Sequence, residues 1–459
     1  MTNNKLPKSN KISRRTVLRQ AAATGAGFGA LTLGGPGPYS FVQRAWADNP
    51  PIGTFPAGAS GPAVTIGAAV PRTGTYAAQG EDELKGMELA VEHINSGHEL
   101  IKKISPKTSK GVLGKELKLV VADSVANPNN AVQAQQRFIT ENKIIAMTGS
   151  TSSAVAVALN KLAQREHVLY LVAISGSNDT TGKDCVRYSF RQCFYGQTAA
   201  AAIGPVLLKA YGKGKKAAFM TPDYTYGHTV TKSVNDYLTA NGGWTQVTNQ
   251  VSKLGTTDFL PFLTNIANSG AEILINVNWG QDAVLSIQQA KQQGILAKQK
   301  LVIPYQIPLL APQLGKDADV LEGVYAATDF WWTLEDKYPL AKTFVEAFDK
   351  KYGYKPEWGA NNAYMQFAMW ADAVENAGSF YPPDVIKSYE AGRKIQSTVG
   401  EVHFRAADHQ LVRPVVIVRG KKPSDMRNKE DFWEVTEVVP GEGLMQKPDE
   451  FGCSLGSYT

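Results

Sequence analysis

Short apolar runs alternate with amphipathic segments from Ala63 to about residue 330, and this alternation constrains the fold more than any other feature. Apolar runs bounded by turn residues are typical of buried parallel strands. Helical patterns between them predict doubly wound α/β sheets with right-handed crossovers. The runs are Val64–Val70, Leu117–Ala122, Ile144–Met147, Val168–Ala173, Ala217–Met220, Ile273–Val277, Leu301–Pro304 and Val324–Ala327.

The length of the chain favours more than one domain. A chain of 459 residues is too long for one ordinary core. The number of predicted strands also exceeds one comfortable sheet, so we predict two α/β lobes. The expected boundaries are a signal at 1–47, a linker at 48–62, a first lobe at 63–192 and 330–398, a second lobe at 193–329 and 399–440, and a tail at 441–459.

The N-terminal segment has the pattern of a twin-arginine export signal. Arg14-Arg15 precedes a mildly apolar stretch rich in Ala and Gly, and Ala45-Trp46-Ala47 is a small-x-small cleavage site. Twin-arginine signals are addresses read by a receptor and take no part in the mature fold. A chance arginine pair is the alternative. The pattern predicts export to the periplasm, with Asp48 as the first mature residue.

Charge gives no support for nucleic-acid binding. The chain has a formal net charge of +7, but residues 1–47 hold seven Lys and Arg and no Asp or Glu. The rest of the chain has 41 basic and 41 acidic residues and is neutral. A nucleic-acid-binding domain would need a basic face of its own.

Cysteine and histidine spacing predicts neither a metal site nor a cofactor. The six histidines show no HExxH or comparable spacing. The three cysteines, Cys185, Cys193 and Cys453, allow one disulfide in an oxidising compartment, and buried free thiols are an equal alternative. The sequence does not select a pair.

Polar loops follow three of the predicted strands, where ligands bind in open α/β sheets. They are residues 71–80, 148–154 and 174–178. The second loop ends a strand and opens a helix with four consecutive hydroxyl residues, Ser150 to Ser153. Free N–H groups at a helix N-terminus favour an anion such as a carboxylate. An ordinary Ser/Thr N-cap is the alternative.

Residues 63–300 resemble the branched-chain amino acid binding family of type I periplasmic binding proteins, also called the leucine-binding family. The resemblance depends on order and spacing rather than on one motif. It runs through Pro71-x-Thr73-Gly74, Gly80, Gly86, Ile94-Asn95, Asp123, Gly149-Ser150-x-x-Ser153, Phe190-Arg191, Tyr226-Gly227, Thr257-Asp258-Phe259 and Gln289-Ala290.

The resemblance implies two flavodoxin-like lobes joined by three hinge crossings, which close on the ligand. The crossings are expected near Arg191–Tyr195, Thr328–Trp331 and Thr398. Ser153, helped by Ser175 or Ser177, would hold the ligand carboxylate. The ligand-binding residues expected on this basis are Gln79, Ser152, Ser153, Ser175, Ser177, Phe194, Tyr195, Tyr226, Asn278, Trp279, Tyr305 and Gln306.

One departure from the family concerns the ligand's ammonium group. Relatives specific for amino acids carry acidic residues where this chain has Phe194-Tyr195 and Tyr305-Gln306. A buried unpaired ammonium is costly. Therefore either another carboxylate serves, such as Asp223 or Asp282, or the ligand is an aromatic or aliphatic acid, a short amide or urea.

The resemblance implies a monomeric binding protein that delivers a small carboxylate to the membrane permease of an ABC importer. An enzyme is disfavoured, because the chain has no GxSxG elbow and no Walker A motif. A receptor sensor module would continue into a membrane helix and a signalling domain, and no such segment follows Thr459. We expect no catalytic residues.

Overall fold

The computed structural model describes residues 49–458, and the predicted signal at 1–47 lies outside this range. The described residues form two sheets and the helices that cover them. The strands are β1 (Ala63–Val70), β2 (Glu116–Asp123), β3 (Ala146–Thr148), β4 (Leu169–Val172), β5 (Ser189–Arg191), β6 (Lys216–Pro222), β7 (Thr245–Ser252), β8 (Ile273–Asn276), β9 (Lys300–Ile303), β10 (Tyr325–Thr328), β11 (Ile395–Ser397), β12 (Gly400–Arg405), β13 (Gln410–Val412), β14 (Val415–Gly420) and β15 (Trp433–Val439).

The α-helices alternate with the strands as the sequence predicts. They are α1 (Ala77–Ser96), α2 (Glu99–Ile104), α3 (Pro128–Arg137), α4 (Ser153–Glu166), α5 (Gly196–Tyr211), α6 (Thr225–Gly242), α7 (Leu260–Asn268), α8 (Gln281–Gln292), α9 (Leu310–Leu314), α10 (Pro339–Tyr352), α11 (Trp358–Ala377) and α12 (Pro382–Glu390). Helix α11 is buried along most of its length and packs on α1, so the late helices belong to the first lobe.

Each lobe is built on a doubly wound sheet. The first sheet has the order β11-β12-β13-β5-β4-β3-β1-β2, and the second has the order β15-β14-β10-β9-β8-β6-β7. Both contain five parallel strands in the flavodoxin-like order 2-1-3-4-5. The second sheet is extended at one edge by the antiparallel strands β14 and β15, and the first by β13, which is parallel to β5, followed by the antiparallel pairs β13–β12 and β12–β11. This arrangement confirms the predicted fold class.

The third crossing lies later in the chain than expected. The chain passes from β5 to α5, from β10 to α10, and from β13 directly into β14 at Arg413-Pro414. Thr398 lies in the β11–β12 turn of the first sheet, so residues 399–412 are not part of the second lobe. The hairpin stays with the first sheet because Phe404 and the His409 ring pack on Phe190, at 5.6 and 4.0 Å between centroids.

A cluster around Asp329 ties the three crossings together. Arg413 Nε lies 3.0 Å from Asp329 Oδ1, and Arg413 Nη2 donates to the Asp329 carbonyl at 2.7 Å. The Phe194 N–H donates to the same carboxylate at 3.1 Å, and so does Asn362 Nδ2 at 2.6 Å. The buried carboxylate of Asp329, which lies in the second crossing, therefore contacts residues of both the first and the third crossings.

The segment expected to be a linker packs on the first lobe over residues 50–62. Phe55 is buried, and its ring meets Tyr381 edge to face at 5.3 Å. Thr54 Oγ1 donates to the Ile144 carbonyl at 2.8 Å. The aromatic side chain within this Pro- and Gly-rich stretch explains why it does not behave as a free linker.

The tail after β15 returns from the second lobe to the first. Cys453 forms a disulfide with Cys185, which answers a question that the sequence left open. Cys193 is buried and not disulfide-bonded. Near the end of the tail, Arg187 donates to the Gly456 carbonyl at 2.9 and 3.1 Å.

Candidate functional site

The site is built at matching positions of the two lobes. In a doubly wound sheet, ligands bind beyond the carboxyl ends of the strands, at the point where the strand order reverses. That point lies between β1 and β3 in the first lobe and between β6 and β8 in the second. The loops after these four strands, together with the loop after β4, carry most of the predicted binding residues.

Five serines of the first lobe form one side of the cleft, which we call the hydroxyl wall: Ser150, Ser152, Ser153, Ser175 and Ser177. Most of these hydroxyls bond to one another or to the backbone. Ser153 Oγ accepts from Ser175 Oγ at 3.1 Å and from the Ser177 N–H at 3.2 Å. Ser150 Oγ accepts from the Ile174 N–H at 3.1 Å.

Ser152 differs from the other hydroxyls of this wall. It occupies the N-cap position of α4 but makes no capping hydrogen bond. Its Oγ is buried and has no partner among the described residues. Because the first N–H groups of a helix lack intrahelical partners, this end of α4 presents donors to an anion.

Arg191, at the end of β5, supports the hydroxyl wall from behind. The guanidinium is fully buried. It donates to the carbonyls of Ser175 and Ser177, and also to Thr181 Oγ1 and Gln410 Oε1 at 2.5 Å each. These bonds fix the loop after β4 and give its carbonyls partners.

Glu83, on α1, supports the same wall from the other side. Its carboxyl accepts from the Ser150 N–H at 3.3 Å and from Thr151 Oγ1 at 2.5 Å. Burial raises the pKa of Glu83 to about 7, against the opposing effect of these two hydrogen bonds. The group beneath this loop is therefore close to half-ionised at neutral pH.

Five rings form the other side of the cleft, which we call the aromatic wall: Tyr76, Tyr226, Trp279, Tyr305 and Trp358. Neighbouring ring centroids are 5.2 Å apart for Tyr76–Trp279, 6.3 Å for Trp279–Trp358, 5.6 Å for Trp358–Tyr305 and 5.5 Å for Tyr305–Tyr226. All five are buried.

Gly176 lets the two walls meet. A Cβ at this position would lie 2.8 Å from the Tyr305 ring and 3.0 Å from the Tyr226 ring. Gly176 stands between Ser175 and Ser177, so the aromatic rings approach the hydroxyl wall at its centre.

Buried donors without partners concentrate in this cleft. Four buried groups of the cleft that can donate make no hydrogen bond within the described residues: Tyr226 OH, Trp279 Nε1, Asn278 Nδ2 and Ser152 Oγ. The acceptor Gln79 Oε1 is also buried and also has no partner there. Buried polar groups normally have partners, and each exception calls for an explanation. The unpartnered groups of the cleft are therefore four that can donate a hydrogen bond and one that can only accept.

Contacts between the lobes show that the cleft is closed in this structure. Gln79 Nε2 donates to the Pro308 carbonyl at 2.9 Å. The hydroxyls of Tyr76 and Tyr224 lie 2.8 Å apart, and those of Ser177 and Thr225 lie 2.7 Å apart. The first residue of each pair belongs to the first lobe and the second to the second lobe.

Three predicted residues lie at the margin of the site. Phe194 stacks on Tyr305 at 3.9 Å and so supports the aromatic wall from behind. Gln306 Nε2 donates to Glu357 Oε2 at 2.9 Å. Tyr195 is not brought to the cleft, because its hydroxyl donates to Gln446 Oε1 of the tail at 2.9 Å.

The two carboxylates considered as ammonium acceptors have different environments. Asp223 is half-exposed and lies 3.1 Å from His228 Nε2. Asp282 is buried, accepts from the Gly255 N–H at 3.0 Å, and has a pKa raised by burial to about 7. No carboxylate oxygen of Asp223 or Asp282 is among the buried atoms that lack a hydrogen-bond partner.

The sequence reasoning missed Tyr76, Trp358 and Glu83. Tyr76 lies within the 71–80 loop, so its position after β1 was an available signal. Glu83 follows on α1 at helical spacing from Gln79. Trp358 opens α11, far along the chain from the other site residues, and no local pattern points to it.

Residues 49–458 contain neither a candidate metal site nor a candidate membrane span. No group of three His, Cys, Asp or Glu side chains in this range is placed to hold a metal ion. None of the helices in the same range is long and apolar enough to cross a membrane.

A cleft bounded by two doubly wound lobes, with three crossings between them, defines the class of hinged two-lobe ligand-binding proteins. The chain belongs to the periplasmic binding protein family, whose family model matches residues 63–425. Members of this family bind solutes in the periplasm.

Individual relatives agree with this assignment. The chain is 27% identical over 319 residues to Leu/Ile/Val-binding protein homolog 7 of Brucella abortus (strain 2308), covering 67% of this chain and 74% of the relative. It is similar to the amino acid ABC transporter substrate-binding protein from Pseudomonas fluorescens Pf-5, with a TM-score of 0.74 and 26% identity over 85% of this chain and 98% of that one.

A third match has the same fold at lower identity. It is the solute-binding protein of an ABC transporter from Rhodopseudomonas palustris HaA2, solved in complex with p-hydroxybenzoic acid. Its TM-score is 0.71, with 20% identity over 85% of this chain and 99% of that one.

Proposed function

We propose that this protein captures a small carboxylate-bearing solute in the cleft and presents it to the membrane permease of an ABC importer. The observation that carries the proposal is the set of buried donors without partners, Ser152 Oγ, Tyr226 OH, Trp279 Nε1 and Asn278 Nδ2. A carboxylate would supply acceptors for such donors, and the uncapped N-terminus of α4 would stabilise its charge.

The names of the relatives favour a branched-chain amino acid as the first candidate for the ligand. Such a ligand needs an acceptor for its ammonium group as well as donors for its carboxylate. Gln79 Oε1 is the unpartnered buried acceptor that lies in the cleft. An amino acid would also draw on backbone carbonyls or on a carboxyl such as Glu83.

The aromatic wall favours a second candidate, an aromatic or aliphatic acid or a short amide. Tyr305 and Gln306 stand where amino-acid-specific relatives are expected to carry an acidic residue. The rings of Trp279, Trp358 and Tyr305 offer flat apolar surface, which suits a planar ligand body. The fold accommodates such a ligand, as in the R. palustris protein bound to p-hydroxybenzoic acid.

We infer a mechanism without bond chemistry. The ligand first meets the hydroxyl wall, and closure then brings Tyr226 and Trp279 over it and excludes water. The protein acts as a monomer without a cofactor and is not an enzyme. It reaches the periplasm by the twin-arginine route, where the permease docks on the closed form.

A thermal-shift screen of the purified protein tests the ligand class. The panel holds leucine, isoleucine and valine, benzoate and p-hydroxybenzoate, isovalerate, and the matched amides. A ligand in large excess over its Kd stabilises the protein by a few kcal/mol and raises Tm. A rise with leucine but not isovalerate supports the amino acid, and a rise with the acids alone supports the second candidate.

Ser152→Ala locates the binding site. Loss of one buried hydrogen-bond partner is expected to weaken binding of the active ligand by about 1–3 kcal/mol. The matched control is Ser424→Ala, an exposed serine far along the chain, which should leave affinity unchanged. Equal affinities of wild type and Ser152→Ala would contradict the assignment of the cleft as the binding site. In the thermal-shift screen, a rise in Tm with the amides but not with the acids would contradict a carboxylate ligand.

A further inference from the structure

A second pocket lies outside the cleft, at the outer edge of the lobe interface. Its volume is about 360 Å³, within the lower range of small-molecule sites. It lies between α1 of the first lobe, the loop at Leu309 of the second lobe, and the second crossing at Trp331-Trp332. We call it the outer pocket. Its lining contains no residue of the hydroxyl wall or the aromatic wall.

The outer pocket has apolar and aromatic sides. Trp331, Trp332, Tyr354 and Phe432 line it, together with Leu309. Trp331 is buried, and its Nε1 has no hydrogen-bond partner among the described residues. These surfaces suit a flat organic body, and an oxygen on that body would satisfy a free indole N–H.

Two buried carboxyls also line the outer pocket. Asp82 and Glu357 are 1% and 6% exposed. Asp82 accepts from Tyr354 OH at 3.0 Å and from the Ala360 N–H at 2.9 Å, and Glu357 accepts from Gln306 Nε2 at 2.9 Å. Within residues 49–458, neither carboxyl has a Lys, Arg or His at ion-pair distance.

Neither lysine of the outer pocket lies at ion-pair distance from the two buried carboxyls, although the charge of Lys85 acts on Asp82. Lys85 Nζ lies 4.7 Å from the centre of the Tyr354 ring. Lys355 Nζ pairs with Asp349 Oδ2 at 2.9 Å and lies 5.5 Å from the Trp332 ring. The lining has four acidic and two basic side chains, with Glu81 and Glu430 at the rim. Glu81 already lies 3.6 Å from Arg72 Nε, so the two buried carboxyls, which have no ion-pair partner, are the groups that a cation would meet.

We propose that the outer pocket is a second binding site, for a primary ammonium on a flat apolar body. The ammonium would pair with Asp82 and Glu357, and the body would lie against Trp331 and Phe432. Because both lobes and the second crossing contribute to the pocket, an occupant stabilises the closed arrangement. The site does not depend on the identity of the ligand in the cleft.

Binding of a cation here releases protons. Burial raises the pKa of Glu357 to about 8, with a further contribution from Asp82, and burial raises the pKa of Asp82 to about 6. At neutral pH Glu357 is therefore largely protonated when the pocket is empty. A bound ammonium favours the carboxylate, so affinity increases as pH rises from 6 to 8.5. Lys85, Lys355, Glu81, Glu430 and Tyr354 are the other charged or titratable groups that line the pocket.

Calorimetry with tyramine and tyrosol tests the proposal, since these molecules differ only by an ammonium in place of a hydroxyl. The purified protein should bind tyramine at least tenfold more tightly than tyrosol. At pH 7 the heat of binding should differ between phosphate and Tris, which reports proton release. Glu357→Gln and Asp82→Asn should each weaken tyramine binding at least tenfold, whereas the exposed control Glu346→Gln should not.

Two further variants separate the outer pocket from the cleft and guard against misfolding. Ala78→Phe places a ring in the outer pocket from α1 while both carboxyls are retained, and it should abolish tyramine binding. Ser152→Ala, in the cleft, should leave tyramine binding unchanged. The proposal is overturned if tyramine binds no better than tyrosol, if Ala78→Phe binds it normally, or if Ser152→Ala abolishes binding.

Discussion

The two walls of the cleft are constructed differently. The hydroxyl wall comes entirely from the first lobe. Its side chains bond to one another and to the backbone, and its backbone groups bond to Arg191 and Glu83. The aromatic wall takes Tyr76 and Trp358 from the first lobe and Tyr226, Trp279 and Tyr305 from the second. It is complete only when the lobes are together.

This difference assigns separate roles to the walls. A wall held within one lobe keeps its geometry as the hinge moves, so under the proposed function it would be preorganised for the polar end of a ligand. A wall shared between lobes forms on closure, so it gains from any ligand body that fills it. Substitutions behind the hydroxyl wall should therefore change folding stability, and substitutions in the aromatic wall should change ligand retention.

Replacing Arg191 should have the largest effect. Arg191→Met removes the buried donors of the Ser175 and Ser177 carbonyls, and leaving these groups without partners should lower the free energy of unfolding by about 1–3 kcal/mol for each carbonyl. Urea unfolding measures this change. As the control, Arg137→Met replaces an exposed arginine and should leave the free energy of unfolding within about 0.5 kcal/mol of wild type. An equally small effect of Arg191→Met would show that the two walls do not differ in this way.

The hydroxyl wall should also be sensitive to pH through Glu83. Its pKa is raised in the folded protein, so its contribution to stability is fully present below pH 4.5 and decreases as pH rises through about 7. Wild type should lose up to about 3 kcal/mol across this range relative to Glu83→Gln. Chemical denaturation at pH 4.5, 6 and 7.5 provides the comparison, with Glu88→Gln on the exposed side of α1 as the control. If the free energy of unfolding changes with pH in the same way for wild type and Glu83→Gln, Glu83 is not the source of the pH sensitivity.

Trp279→Ala tests the aromatic wall. Loss of a buried ring that contacts both Tyr76 and Trp358 should weaken ligand binding by about 2 kcal/mol or more, mainly through faster dissociation. Stopped-flow fluorescence separates the two rate constants. Trp279→Phe keeps a ring and loses the N–H donor, so it should weaken binding by about 1 kcal/mol. A change confined to the association rate would show that this wall exists before closure.

The smallest expected effect distinguishes two adjacent serines. Ser153→Ala removes the acceptor of the Ser177 N–H and should lower stability by about 1 kcal/mol. Ser152→Ala removes an unpartnered hydroxyl and should leave stability of the ligand-free protein unchanged. Thermal unfolding without ligand measures both. If Ser152→Ala is the less stable variant, Ser152 rather than Ser153 has the structural role.

The lobes could be predicted because their signals are local. Parallel strands such as β1 and β8 are continuous apolar runs, and the hydroxyl-rich loops follow strands directly. The third crossing could not be placed in this way. The hairpin that precedes it is held to the first lobe by His409 and Phe404 against Phe190, a contact over more than 200 residues of sequence.

The finer details of the site depend on three-dimensional pairing. Ser152 and Ser153 are indistinguishable in a run of hydroxyl residues, and only the contact of Ser153 with Ser175 and Ser177 separates them. Trp358 joins Trp279 because α11 packs on α1. Tyr195 is next to Phe194 in sequence, but its hydroxyl meets the tail instead of the cleft.

The disulfide between Cys185 and Cys453 has a consequence for unfolding. Cys185 precedes the first crossing and Cys453 follows the last strand, so the bond closes a covalent ring with a sequence separation of 268 residues that contains the whole second lobe. On the chain-entropy account, closing a ring of this size disfavours the unfolded chain by about 5–6 kcal/mol. Both segments of the second lobe lie within this ring, so the covalent link to the first lobe remains after the sheet of the second lobe unfolds.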